Sequence, residues 1–156
     1  MFGICNLAMI PLRFEASDKS EIVSQVLFGE HFEILEQFKQ WSLIKMQYDG
    51  YEGWVDSKQF QLISETSFNQ LSTEAIILNA DLIEYITAPS NLLIPIPLGS
   101  SLSFLNHNEI NTSNFDFEGT KSSGEKNKEC LINTAFMYLN APYLWGGKTP
   151  FGIDCS

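Results

Sequence analysis

Basic residues are scarce in this 156-residue sequence and missing from its middle. Nine lysines and arginines face nineteen acids, a formal charge of −10, and none lies between Lys58 and Lys121, where seven acids fall. A phosphate backbone or an anionic lipid surface needs clustered Lys and Arg, so nucleic acid and membrane are excluded as partners. Long apolar runs are missing too. The longest, Leu92 to Leu98, has seven residues and two prolines, well short of a bilayer span. Met1-Phe2-Gly3-Ile4-Cys5 has neither a positive n-region nor an apolar h-region. With Met1 as the natural start, a cytoplasmic location is expected; a start further upstream would move it to the periplasm or outside. Cys5, Cys130 and Cys155 are odd in number and widely spaced, which fits neither a disulfide framework nor a zinc site and predicts a reduced compartment. No metal and no cofactor is expected: Glu30, Glu33 and Glu36 lack calcium-loop spacing.

What remains is an ordinary foldable composition, 44% apolar and 18% charged, long enough for one domain or two small ones. The first sixty-odd residues read as short strands. Phe32 to Phe38 and Trp41 to Tyr48 are apolar-rich, and Asp49-Gly50 offers the positive φ angles of a tight hairpin. A small barrel is the expected outcome, with Trp41 and Trp54 filling its core or rim. A fainter second copy follows. Phe28-Gly29-Glu30-His31-Phe32-Glu33-Ile34-Leu35 and Leu98-Gly99-Ser100-Ser101-Leu102-Ser103-Phe104-Leu105 share one pattern at an offset of 70 residues. Tyr51-Glu52-Gly53 has a rough counterpart in Phe117-Glu118-Gly119, but nothing corresponds to Trp41. Lys121 to Lys128 marks a boundary, and Ser122-Ser123-Gly124-Glu125 has the form of a capping box. Leu131, Ile132, Ala135, Phe136 and Leu139 then recur at helical spacing, predicting a helix of about four turns that Asn140-Ala141-Pro142 ends.

The chemistry concentrates at the far end. A glycine-rich loop, Trp145-Gly146-Gly147-Lys148, leads to Asp154-Cys155-Ser156. A nucleophilic thiol needs exposure and a stabilised thiolate, which a helix starting at the cysteine supplies through its free N–H groups. Asp154 and Ser156 are suitable caps. From the residues alone a small inert cysteine is the stronger reading. Gly146-Gly147 has no phosphate-loop context, Lys148 reads as solvated, and Trp145 as packed beneath the loop.

Tyr143-x-Trp145-Gly146-Gly147 followed by Asp154-Cys155-Ser156 resembles the catalytic motif of NlpC/P60 cysteine peptidases. Leu12-Arg13, the stretch Glu21 to Glu30, Trp41 and Gly50-Tyr51-Glu52-Gly53-Trp54-Val55 resemble a bacterial SH3-like domain. The combination is similar to γ-D-glutamyl-L-diamino-acid endopeptidases that trim peptidoglycan stem peptides. The resemblance implies a mainly β chain: an SH3-like barrel over 1–64, a degenerate second barrel over 65–121, and over 122–156 the first helix and loop of an α+β, papain-like NlpC/P60 domain.

It also implies roles. Cys155 would attack the amide carbon between γ-D-Glu and the diamino acid, with its own N–H and the Tyr143 hydroxyl steadying the oxyanion. Asp154 and Ser156 would shape the pocket. A carboxylate and a tyrosine of the first barrel would read the free amine of L-Ala. Tyr51 is the candidate tyrosine and Glu21 the candidate carboxylate, with Glu30 and Glu15 as rivals. Papain-like chemistry also needs a general-base histidine. Only His31 and His107 are present, and both read as solvated turn residues. The expectation is therefore a monomeric, incomplete peptidase that is inactive as it stands. The alternative is a non-catalytic module that binds peptidoglycan or a partner.

Overall fold

The structure is a computed structural model that describes residues 1–106, 115–124 and 127–155. His107, Glu125 and Ser156 lie outside the described residues. The short strands expected at the start are present: β1 (Phe2–Ile4), β2 (Met9–Arg13), β3 (Ile22–Leu27), β4 (His31–Phe38), β5 (Trp41–Met46), β6 (Glu52–Asp56) and β7 (Gln61–Ile63). They form one antiparallel sheet in the order β3-β2-β6-β5-β4-β1-β7. Alternation sets its inner face: in β4, Phe32 and Ile34 are buried while Glu33 and Leu35 are exposed. With Ile10, Leu12, Val26, Ile44, Met46 and Val55 they make the first core. Trp41 is buried at the start of β5. The β5–β6 connection is longer than a two-residue turn. Gly50 alone takes a positive φ, +71°, while the Asp49 carboxylate accepts the Tyr51 N–H at 2.9 Å, an Asx turn. At the sheet's edge, β3 carries a bulge: its pairing with β2 slips between Leu12 and Arg13, which pair with Ser24 and Ile22.

A helix stands where none was expected, α1 (Glu65–Thr73), capped by Ser64, whose hydroxyl accepts the Ser67 N–H. Its sequence shows little periodicity, because only Phe68 and Leu71 provide its large buried side chains. Phe68 stacks on Phe2 with ring centroids 4.2 Å apart. Where a second barrel was expected, the described residues form two short ladders and a 3-10 turn. β9 (Ile83–Thr87) pairs with β10 (Leu93–Pro97), β8 (Leu78–Asn79) pairs with β11 (Lys121–Ser122), and Ser103–Asn106 is the 3-10 turn. The second core contains Ile86, Ile96, Leu102, Phe104 and Phe117, and it borrows Ile4 and Phe28 from the first unit. Phe28 meets Phe104 edge-on at 5.5 Å and Phe115 at 6.0 Å.

The sequence repeat has a backbone counterpart. In the first unit, Phe28 N–H bonds Ala8 O, Gly29 N–H bonds Cys5 O, and Cys5 N–H bonds Glu30 O. In the second, Leu98 N–H bonds Leu82 O, Gly99 N–H bonds Asn79 O, and Asn79 N–H bonds Ser100 O. Each turn follows an antiparallel hairpin, β2–β3 or β9–β10. The bridge Arg13–Trp54 is echoed by Thr87–Asp116.

The last region holds α2 (Lys128–Met137) and a small hairpin, β12 (Lys148–Thr149) with β13 (Gly152–Ile153). Ten residues make about three turns, not four. Asn127 caps the helix through the Cys130 N–H, so Ser122 is not the cap; it is held in β11. Beyond the helix, Asn140 takes a left-handed φ of 72° ahead of Pro142. No described residue of α2 is buried; Leu131, Ile132 and Phe136 on it, and Leu139 just after it, all face outward. No helix among the described residues is long and apolar enough to cross a membrane.

Candidate active site

The loop that carries Cys155 is shaped by its own backbone and then docked on β3. Within it, Leu144 N–H bonds Ile153 O and Ile153 N–H bonds Pro142 O, so Tyr143 bridges Ile153 in parallel fashion, two residues before Cys155. Gly147 N–H bonds Leu144 O, and Asp154 N–H bonds Gly147 O. The Asp154 carboxylate turns back to accept the Gly146 N–H at 3.2 Å. Asp154 thus pins the two ends of the loop together. Cys155 and Tyr143 are both exposed.

Docking on the first unit runs along the edge strand. The Trp145 indole N–H donates to Glu21 Oε1 at 2.6 Å. Gly146, at φ +71°, lies so close to the bulge that a Cβ would stand 2.6 Å from Ile22 O. Only glycine meets both demands. Lys148 N–H donates to Gln25 Oε1 at 2.7 Å, and Lys148 Nζ donates to Glu30 Oε1 at 3.1 Å. The Glu30 side chain is 14% exposed, and its second oxygen accepts the Leu27 N–H at 2.7 Å. Burial raises the Glu30 carboxyl above the usual carboxylate range, against the opposing pull of Lys148 and the Leu27 N–H.

These contacts sort the candidates. Glu21 and Glu30 both reach the cysteine loop, through Trp145 and Lys148 respectively. Glu15 stays in the exposed β2–β3 connection, where its N–H bonds Ser20 Oγ. Tyr51 is exposed, and its backbone bonds lie within the β5–β6 connection. Two expectations are corrected. Trp145 is not packed beneath the loop but reaches outward to Glu21, and Lys148 is not free in solvent but paired with a mostly buried carboxylate. Neither partner is visible in the sequence, because each lies more than a hundred residues away. His31 is corrected as well. It packs edge-on against Phe68 and shares a hydrogen bond with Ser72 at 3.2 Å, and burial lowers its pKa to about 4. Cys5 lies at the opposite extreme from Cys155: buried, bonded to Leu7 O and Val26 O, with its pKa pushed up to about 12. Among the described residues, no three His, Cys, Asp or Glu side chains gather as a metal site.

A cleft of about 190 Å³ opens where the three regions meet. Ala8, Met9 and Gln25 line it from the first unit, Ile83 and Pro95 from the second, and Leu144 and Phe151 from the cysteine loop.

Comparison with known proteins relates the chain to proteins named as peptidases. Across its whole length the chain is 25% identical to Dipeptidyl-peptidase 6 of Lysinibacillus sphaericus, covering 66% of that protein. Over 90% of its length it is 22% identical to the γ-D-glutamyl-L-lysine dipeptidyl-peptidase of Bacillus cereus, covering 49% of that protein. The chain therefore spans between about half and two thirds of the length of these relatives. A crystal structure of an NlpC/P60 family protein from Bacillus cereus superposes on 99% of the chain and covers 69% of its own, with a TM-score of 0.76 at 16% identity. Residues 12–60 match the family described as the bacterial dipeptidyl-peptidase Sh3 domain, and the chain as a whole resembles the matching part of that NlpC/P60 family protein in fold and proteins named as peptidases in sequence.

Proposed function

We propose that these residues form the cysteine-bearing part of a peptidase that cleaves the amide between γ-D-Glu and a diamino acid in peptidoglycan-derived peptides with a free N-terminal L-Ala. The observation that carries this reading is an exposed thiol, Cys155, at the end of a loop bonded along β3 of the first unit. Cys155 is the nucleophile, its N–H an oxyanion donor with the Tyr143 hydroxyl beside it, and Ser156 part of the pocket. The relation to proteins named dipeptidyl-peptidases supports that reading.

The amine of L-Ala needs a carboxylate near the thiol. Glu21 suits this role better than Glu15, because it already lies against Trp145. Tyr51 is the partner proposed for it. A general base is still required. His31 is engaged by Ser72 and Phe68 on the face of α1, so it is not that base.

Incubating the 156-residue chain with L-Ala-γ-D-Glu-diamino-acid tripeptide is expected to release no diamino acid. A longer protein that carries these residues together with a histidine base is expected to release it, and to lose that activity on Cys155→Ala. Undiminished release after that substitution overturns the assignment. No release by the longer protein, with retained binding of the tripeptide, favours a binding module instead.

A further inference from the structure

We propose that Glu30 and Lys148 are positioning residues for Cys155: their partly buried ion pair latches the β12–β13 hairpin, and with it the thiol, onto the edge of the first unit. This rests on the peptidase reading of the same loop.

The geometry is specific. An unpaired sheet edge tends to be covered or blunted, and here the cover is the cysteine loop. Trp145, Gly146 and Lys148 meet Glu21, just before β3, and Ile22 and Gln25 of β3 in matching order. Three of these contacts are weakly discriminating: an exposed indole bond, a glycine contact and one amide bond. The fourth is different. Glu30 lies in the turn after β3 with both oxygens engaged, one by Leu27 N–H and one by Lys148 Nζ. A carboxylate buried to this degree is costly without a counter-charge, so releasing Lys148 leaves Glu30 held only by the Leu27 N–H at a mostly buried site. That cost makes docked and undocked loops distinct states. Lys148 starts β12, and its partner in the ladder is Ile153, two residues from Cys155. Docking of Lys148 therefore fixes the strand that presents the thiol. The SH3-like unit is in this view a wall that holds the nucleophile in place, beyond any contact it makes with substrate.

The test uses the full chain and three variants, Lys148→Met, Lys148→Arg and Glu30→Gln. Amide exchange of Lys148, whose N–H reaches Gln25 only when the loop is docked, is expected to accelerate at least tenfold in Lys148→Met and Glu30→Gln. The Asp154 amide order parameter should drop from the rigid range, about 0.85, toward 0.6. The amides of Ile34 and Ile44 in the first core should not change, showing that the fold survives. Lys148→Arg keeps the charge and should keep protection within twofold. In the longer active protein, Lys148→Met is expected to lower kcat at least tenfold with KM within about twofold. An unchanged Asp154 amide in Lys148→Met overturns the proposal, as does an unchanged kcat. A wild-type protein with a docked loop and no turnover at all would instead sink the peptidase reading while leaving the latch standing.

Discussion

The turns at Gly29 and Gly99 are built alike and lead to different structures. Both glycines have positive φ, +77° and +84°, and both turns make the same three backbone bonds to the segment ahead of the hairpin. After Gly29 the chain runs eight residues as β4. After Gly99 it reaches Leu102 and coils into the 3-10 turn Ser103–Asn106. The difference lies in what each segment can pair with. β4 has β5 on one side and β1 on the other, and Trp41 begins β5. The second copy has no Trp41 equivalent, and its short segment packs Leu102 and Phe104 into a core instead. A local turn is thus set by a few residues, while the strand after it depends on a partner being available.

Four substitutions and a titration sharpen that contrast. Phe28→Ala should cost the most, about 4 kcal/mol, because the ring belongs to the core of the second unit although it stands in the turn of the first. The urea midpoint should fall, and the 3-10 segment should lose exchange protection with it. Replacing the equivalent but only partly buried Leu98 by Ala should cost less. Gly29→Ala should come next, about 3 kcal/mol, from a strained φ plus overpacking. A Cβ there would stand 1.9 Å from the Ser101 carbonyl oxygen. Gly99→Ala meets only Leu27 Cδ1 at 3.8 Å and should cost about 1 kcal/mol, the strain alone. Equal losses at the two glycines would show that their surroundings do not differ as described.

A pH dependence is expected at His31, where the second copy has Ser101. The folded-state pKa of His31 is lowered from 6.5 to about 4 by burial. Between those values the unfolded chain takes up a proton that the folded chain refuses, so stability falls as pH drops through that window. Comparing urea midpoints of wild type and His31→Gln from pH 7 to 4 isolates this contribution from that of Glu30, whose raised pKa acts in the opposite direction. The wild type should lose more stability than the variant on acidification.

The strands of the first unit were legible because their apolar residues alternate and their turns carry glycine and Asp-Gly. The glycine-rich loop before Cys155 was legible because its residues lie close together in the chain. α1 was not: its nine residues place few apolar side chains toward the sheet, and tertiary packing on Phe2 and His31 holds it. Glu30 was seen as a carboxylate near a turn, and Lys148 as a surface cation, but their pairing was hidden.

Sequence alone therefore determined where the chain turns and where its first strands lie, and it singled out Cys155 as a candidate thiol. These depend on neighbours within a few positions, through φ preference and periodicity. Only the tertiary structure decided that Phe28 serves the other unit's core and that Trp145 and Lys148 close on Glu21 and Glu30. Those contacts join residues far apart along the chain, and no local pattern encodes which distant charge or ring will be brought within reach.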